Sequence, residues 1–475
     1  MTNSSKYKYL AKNTLLFTIS SFGSKILVLL LVPLYTSILT TTEYGIADII
    51  TTSAYLLMHV FTINIADSVL RFAIEQKEDQ QRFLSYGLRI LLSGSGILGL
   101  ILLLSSAFHI IAWDNRCYVF LFFDYFAISL YQILSNYLRA IDKIKEVAIS
   151  GVIITLVTIL FNIVLLLWYR LGLVGYLVSI IAGSAVSSVY CLIVIRMSPI
   201  RILKDCCDSV SRKEMRSYSI PLIFNGVAWW MNNSLDKYFV IGMCGPSENG
   251  VLSIAYKLPT ILSVFHTVFF QAWNLSAIRE YDKNDSDGFF SKTYSLYNTG
   301  MVLVTSSLIL INIPLARILF AKDFFAAWQY SSILLLSTLF SSLSTFVGSV
   351  FAAVKDSRIY AVSTVAAAVV NCILNYVLIH FFGTIGAAIA TVVSFVFVWL
   401  IRLVYSRKYI KWRINIGRDI LAYSFLVLQI VFEHLDGHFY VGQVFVLISL
   451  LLLYRQYIRE VLQTGIRLFN KVKGN

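Results

Sequence analysis

NTLLFTISSFGSKILVLLLVPLYTSIL, residues 13–39, is the stretch from which the fold is read. Its interior is apolar or small almost throughout, and its single charged residue, Lys25, stands near the middle. Wound as an α-helix at about 1.5 Å per residue, the stretch is about 40 Å long, enough to cross a bilayer with some tilt. Lys25 then lies about 18–20 Å from either end, beyond the roughly 6 Å reach of a lysine stem, so snorkelling does not bring it to an interface. A charge at that depth costs at least about 2.5–3.5 kcal/mol and is expected to face water, a partner or a ligand.

Outward from this stretch the chain keeps the same character. Of 475 residues, 58% are hydrophobic and 13% charged, and the mean hydropathy is +0.76. Soluble domains carry about 25% charged residues. The fold class that follows is an all-α polytopic membrane protein. The first apolar run is too long for a signal-peptide core and no small-residue cleavage site follows it, so it reads as a retained first span. Apolar runs place fourteen transmembrane helices, the first seven at 13–38, 44–68, 83–109, 117–138, 147–169, 173–195 and 218–243. The other seven are at 250–278, 293–316, 328–354, 360–382, 384–405, 419–433 and 439–457. The six cysteines show no metal-ligand spacing, and the adjacent Cys206 and Cys207 are poorly placed for a bridge.

The net charge of +14 raises the possibility of nucleic-acid binding, which the placement of the charges argues against. With both termini taken as cytoplasmic, 31 of the 39 lysines and arginines fall in inside segments. Four (Arg116, Arg170, Arg317 and Lys322) fall outside. That asymmetry is the positive-inside pattern of a multi-pass protein of the cytoplasmic membrane. The outside turns at 40–44 and 244–249 are very short, and the longest connection, 196–217, lies inside. None is large enough for a soluble catalytic domain.

Two pairs of motifs reveal a duplication. TEYGIADI (42–49) matches SENGVLSI (247–254), with Glu43-Tyr44-Gly45 on Glu248-Asn249-Gly250 at a shift of 205. AIDKIKEVAIS (140–150) matches AVKDSRIYAVS (353–363) at a shift of 213, which puts Asn162 on Asn375 and then GLVG (172–175) on GTIG (383–386). A repeat of six spans has an even number of crossings, so both copies keep one orientation. The expectation is two parallel six-helix lobes, 1–195 and 218–405, with a central cleft. They are joined by a cytoplasmic linker at 196–217 and followed by two extra helices and a basic tail at 406–475. The glycines of the two short turns are expected to permit tight reversal and close helix approach. The register also sets Trp230 opposite Lys25, so that charge belongs to one copy alone.

EYGIADIITTSAYLLMHVFTINIADSVLRFAIE (43–75) and KDSRIYAVSTVAAAVVNCILNYVLIHFFGTIGAAIATVVS (355–394) resemble the polysaccharide flippases of the multidrug/oligosaccharidyl-lipid/polysaccharide exporter superfamily. The resemblance covers most of residues 10–405. It implies an alternating-access transporter that moves an undecaprenyl-pyrophosphate-linked oligosaccharide to the outer leaflet, in company with membrane lipids and assembly proteins such as a polysaccharide polymerase. The last two spans depart from twelve-span members and leave open kinship to fourteen-span relatives, lipid II flippases among them.

Four basic residues interrupt apolar spans: Lys25, Arg89, Lys237 and Lys257. Cations in a low-dielectric cleft pair with a pyrophosphate, which makes these four the candidate substrate-binding residues. The alternatives are a buried ion pair for Lys25 and interfacial positions for the others. Pro259, two residues after Lys257, is expected to bend its helix, and Pro33, Pro221 and Pro314 are further candidate bend points. Asp67, Asp124 and Asp236 are candidates for proton or sodium coupling. Asp67 stands four residues before Arg71, a spacing that favours a local ion pair instead. Asp236 and Lys237, about 100° apart on a helix, are not expected to pair with each other. Asp48 is a further carboxylate within a span.

No phosphate-binding loop, His/Cys metal cluster or nucleophile with a base is present in the sequence, so no cofactor, metal or enzymatic activity is expected. A cation-coupled drug exporter on the same scaffold would favour acidic residues at its deepest position, where this chain has a lysine. A membrane glycosyltransferase would need a larger segment outside the bilayer.

Overall fold

The structure, a computed structural model, describes residues 27, 29–76, 78–109, 113–196, 207–279, 281–354, 356–435, 439–460 and 463. All regular structure among the described residues is helical. The chain divides into two compact units, Met1–Gly250 and Val251–Asn475.

The first unit holds α1 (Val32–Ile38), α2 (Thr41–Phe61), α3 (Ile65–Glu75), α4 (Gln80–Ala107) and α5 (Asn115–Ala140). It continues with α6 (Ile144–Asn162), which runs on as a π-helical segment Ile163–Trp168, then α7 (Gly172–Ile195) and the long α8 (Ser209–Met243). Its core gathers Ile50, Val69, Phe83, Leu134, Leu177 and Met215. Because α8 packs on α2 and α3, this unit includes residues 218–250, which the repeat reading assigns to the second lobe. The carboxylate of Asp208 caps α8 by accepting from the backbone N–H groups of Val210 and Ser211. Its hydrogen bonds, that of Ser211 foremost, hold it below the usual carboxylate range.

The second unit begins within α9 (Pro246–Ala255) and holds α10 (Pro259–Arg279), α11 (Phe289–Leu310), α12 (Asn312–Leu319) and α13 (Trp328–Ala353). α14 (Ser357–Phe382), α15 (Thr384–Ser406), α16 (Ile416–His434) and α17 (Tyr440–Leu453) complete it. A separate core forms here around Trp273, Phe290, Tyr294, Phe346 and Trp399. α16 is fastened to it by polar contacts. Gln429 and Ser306 exchange two hydrogen bonds, Tyr423 donates to Asn298, and Asn312 donates to Glu433 at 2.7 Å. Buried polar groups at this depth require such partners, and meeting them fixes the register of α16.

Among the described residues, eight helices are long and apolar enough to cross a membrane, or up to ten if two bent pairs each count as one. The fourteen apolar runs account for the difference. The run at 13–38 lies mostly outside the described residues. α8 is diluted by Asn225, Asn232, Asn233, Asp236 and Lys237, α16 carries Arg418, Asp419 and Glu433, and α17 has 14 residues. Apolarity also conceals breaks. The run at 44–68 ends as a helix at Phe61, where Ile63 and Asn64 take left-handed φ of 47° and 52°. The run at 250–278 bends by 44° between α9 and α10, and the run at 293–316 by 60° between α11 and α12. Pro259 opens a new helix rather than bending a continuous one, as its missing N–H allows. Pro221 sits inside an unbroken α8.

The helix bounds carry the duplication. α5 and α13 start at 115 and 328 and end at 140 and 353, and α6 and α14 start at 144 and 357, all at the shift of 213. The paired short turns hold Gly172 and Gly383 at φ +53° and +60°, and a Cβ on Gly386 would lie 2.2 Å from the Leu378 carbonyl oxygen.

Candidate functional site

The site grows from the motif that the chain repeats. Thr40 and Glu43 form a reciprocal capping box at the start of α2. Within the first unit the two motif copies cross each other reciprocally. A Cβ on Gly45 would fall 1.9 Å from the Pro246 carbonyl oxygen, and one on Gly250 would fall 2.0 Å from that of Thr41. At the shift of 205, Thr41 corresponds to Pro246 and Gly45 to Gly250, so each contact is the image of the other. Thr41 and Ser247 share a hydroxyl–hydroxyl hydrogen bond of 2.7 Å, and the Asn249 amide donates to the Gly45 carbonyl at 3.0 Å. Only glycine lets two backbones approach this closely.

One turn deeper, α2 and α8 exchange their polar groups. Lys237 Nζ lies 2.9 Å from Asp48 Oδ1, with side-chain exposures of 12% and 15%. Ser53 and Tyr238 share a hydrogen bond of 2.5 Å, and Trp230 Nε1 donates to the Thr52 carbonyl at 2.8 Å while its ring meets Tyr238 edge-on. A lysine and an aspartate removed from water this far must be paired. Asp236 is buried on the same helix, and Lys237 turns to Asp48 rather than to this neighbour.

Beside this layer Tyr35, Tyr44 and Tyr176 pack ring against ring, with centroids 4.9 to 6.4 Å apart, and Asn162 donates to the Tyr35 hydroxyl. Asp124, on α5, is 1% exposed, and neither of its carboxyl oxygens has a hydrogen-bond partner among the described residues. A bare carboxylate in such surroundings is strongly disfavoured, so the group is suited to carrying a proton or holding a cation. Above α2 a cavity of about 450 Å³ is lined by Ser37, Glu43, Leu166, Leu167 and Arg170, among others. The Glu43 carboxylate there also accepts from the Leu173 N–H at 3.4 Å, tying the turn between α6 and α7 to the cap of α2.

The remaining candidates are dispersed. Lys25 lies outside the described residues. Arg89 is half-buried on α4, and Lys257 is half-buried at the break between α9 and α10 in the second unit. The expected pair of Asp67 with Arg71 does not form. Asp67 lies in the first turn of α3, where it accepts from Asn64 at 2.7 Å and from Asn136 at 3.3 Å. Arg71 turns the other way, to Glu75 at 3.0 Å and over the Tyr218 ring. Two amide donors at the helix start satisfy Asp67 more directly than an arginine one turn on.

Two charged residues carry more than sequence pattern assigns them. Asp48, in sequence only a carboxylate within a span, is the partner of Lys237. Its signal is the repeat register, which sets it on Ser253, so the acid, like Lys25, exists in one copy alone. Arg402 falls among the inside charges that set topology, yet it is buried on α15. Among the described residues no group of three or more His, Cys, Asp or Glu is placed to hold a metal ion.

Solved structures share the fold. Over 94% of this chain and 100% of the other, the fold matches one described as "Lipid II flippase MurJ, inward closed conformation", with a TM-score of 0.69 and 15% identity. An inward-facing multidrug resistance MATE family transporter of the MOP superfamily aligns over 81% of this chain and 97% of its own, with a TM-score of 0.62 and 13% identity. A MOP superfamily transporter from Pyrococcus furiosus aligns over 84% and 96%, with a TM-score of 0.51 and 12% identity. The protein is thus a multi-pass membrane protein with the fold of these transporters. A sequence profile of the family described as "Polysaccharide biosynthesis protein" matches residues 10–274, more than half of the chain, and the chain belongs to that family. No curated protein matches it in sequence.

Proposed function

We propose that the protein is a flippase that carries an undecaprenyl-pyrophosphate-linked oligosaccharide across the cytoplasmic membrane for surface polysaccharide assembly. The observation that carries this reading is membership of the polysaccharide biosynthesis family. A transporter fold and intramembrane cations support it. Both termini are taken as cytoplasmic, on the distribution of lysine and arginine. The protein moves substrate by alternating access and catalyses no covalent chemistry. It works beside assembly proteins such as a polysaccharide polymerase.

In this reading Lys237 exchanges Asp48 for a phosphate oxygen when substrate arrives, because a pyrophosphate offers more negative charge than one carboxylate. Lys25, Arg89 and Lys257 are the further cations proposed along the route. Asp124 is the leading coupling group, ahead of Asp67 and Asp236, because it is buried with no hydrogen-bond partner among the described residues. Asp124→Asn is expected to leave insertion and folding intact and to remove the pH dependence of transport in proteoliposomes. A retained pH dependence excludes Asp124 as the coupling group.

A second reading, lipid II as substrate, is favoured by the alignment over the whole length of the lipid II flippase. A deletion strain separates the two. Loss of surface polysaccharide with lipid-linked repeats held in the inner leaflet supports the first reading, and lysis with lipid II accumulation supports the second. Changed drug sensitivity with neither phenotype would favour a drug exporter.

A further inference from the structure

The cavity above α2 lies where the first copy of the repeat departs from the second. Two more residues separate Asn162 from Gly172 than separate Asn375 from Gly383. The second copy runs α-helical through Phe382 to the turn at Gly383. The first takes up the surplus in the π-helical segment Ile163–Trp168, whose wider turn holds more residues, and in Arg170, held left-handed at φ +51°. Non-glycine residues in that conformation cluster at functional sites. Ser37 is also confined to the first copy, since the shift of 205 sets it on Gly242. Glu43 and Gly172 have counterparts in Glu248 and Gly383, so the arginine and the serine are what the first copy adds.

At about 450 Å³ the cavity falls within the roughly 300–1,000 Å³ of small-ligand sites. Its polar groups divide by role. Arg170 is exposed, and among the described residues it has no hydrogen-bond or ion-pair partner, so its fork of donors is open. Ser37 donates its hydroxyl hydrogen to the Leu34 carbonyl at 2.9 Å, which leaves its oxygen to accept. Glu43 is an acceptor. Its Oε2 takes the Thr40 N–H at 2.9 Å and the Thr40 hydroxyl at 3.1 Å, while Oε1 takes the Leu173 N–H at a longer 3.4 Å. Gly172 keeps Oε1 open, because a Cβ there would lie 2.6 Å from it. Leu166 and Leu167 supply an apolar wall.

Glu43 and Arg170 thus line one cavity without pairing with each other. A free anion there is opposed by Glu43, and a free cation by Arg170. A sugar ring meets both demands. Its hydroxyls donate to Glu43 and Ser37 and accept from Arg170, and its C–H face lies on the leucines. We propose that this cavity is a sugar-binding site, which holds a ring of the transported glycan at the outer end of α2. The proposal rests on the flippase reading for the source of the sugar and on the placement of this turn outside.

The test is saturation-transfer NMR on the purified full-length protein in phosphatidylcholine nanodiscs, which carry no sugar of their own. Glucose, galactose, N-acetylglucosamine and glucuronic acid are the probes, and inorganic phosphate and phosphoethanolamine are added as competitors. At least one sugar is expected to bind with about millimolar affinity. Arg170→Asn, which removes the donor fork but keeps a residue suited to left-handed backbone, is expected to weaken that binding about tenfold. Ser37→Leu, which removes an acceptor and fills part of the cavity, is expected to abolish it. That second variant decides the matter if Arg170→Asn does not fold. Absence of binding by all four sugars overturns the proposal, as does binding untouched by the variants. Displacement of the sugar by a lower concentration of phosphate makes this an anion site, and by phosphoethanolamine a lipid-headgroup site; either overturns the sugar assignment. Unaltered surface polysaccharide in a deletion strain would remove the flippase reading and leave a measured sugar affinity standing, whereas loss of the sugar site leaves that reading intact.

Discussion

Lys237 in the first unit and Arg402 in the second are both cations buried in membrane helices, and the chain treats them differently. Lys237 is compensated by a full opposite charge on another helix at 2.9 Å. Arg402 is held by two hydroxyls, a carbonyl and an aromatic face, none of which carries charge. An ammonium is a compact, strongly hydrated charge that demands a counter-ion when water is removed. A guanidinium spreads its charge over a plane and tolerates neutral acceptors and stacking. The two arrangements follow from that chemistry, and they differ in use. A paired lysine is a contact that an incoming anion must win from a carboxylate, while an arginine among neutral groups ties α15 to α13 and α14.

The sharpest way to break this contrast is to leave Lys237 without its acid. Asp48→Ala is expected to destabilise the protein by about 3 kcal/mol, read as a fall in the melting temperature of the purified protein, because a buried charge is stranded. The paired replacement Asp48→Leu with Lys237→Met is expected to recover most of that loss. If the double variant is no better than the single, the pair is not the stabilising unit. Next in size is Gly348→Ala, which pushes a methyl group into Tyr360 and Arg402 and is expected to cost about 2 kcal/mol by the same measurement. Arg402→Lys follows, at about 1–2 kcal/mol, since an ammonium can neither fork to Ser363 and Thr364 nor stack on Tyr360 in the same way. A cost as large as that of Asp48→Ala would show that Arg402 depends on charge rather than on shape.

The smallest effect concerns Asp356. The Tyr409 hydroxyl, ahead of the backbone N–H of Arg358, holds the Asp356 carboxyl below the usual range. A lowered carboxylate adds stability above its unfolded value, and that increment disappears as the pH falls through the folded value. Tyr409→Phe is therefore expected to lower stability slightly at neutral pH, and the difference is expected to vanish once the pH has fallen through the lowered folded value, where Asp356 is protonated in the folded and unfolded chain alike. A difference between the two proteins that persists at acid pH would assign the effect to packing.

Much of the fold is legible in the chain itself. A run such as residues 147–169 is so apolar that only a membrane helix suits it, and helix bounds at 140/353 and 144/357 follow the repeat read from AIDKIKEVAIS and AVKDSRIYAVS. The break at Thr62–Asn64 is not legible, because it lies inside a run whose composition does not change, whereas Pro259 marks the bend between α9 and α10. The candidate site is readable in part. Lys237 stands out as a charge in an apolar run, whereas its partner is 189 positions away in sequence and no local spacing connects the two. Asp67 misleads for the reverse reason. Its i,i+4 spacing to Arg71 is attractive, but Asn136 from α5 is a partner that no local rule supplies.

From sequence alone come the membrane as solvent, the helices, the duplicated motif and the depth of the charges, since hydropathy and period are properties of the chain itself. Tertiary structure decides which charges meet. It brings the glycines of the two motif copies against each other's backbones, gives Lys237 an aspartate, leaves Asp124 without a hydrogen-bond partner among the described residues, and encloses Arg402 among neutral groups. In a low-dielectric interior, what a buried charge does is set by the few atoms within about 4 Å of it, and those atoms come from distant parts of the chain.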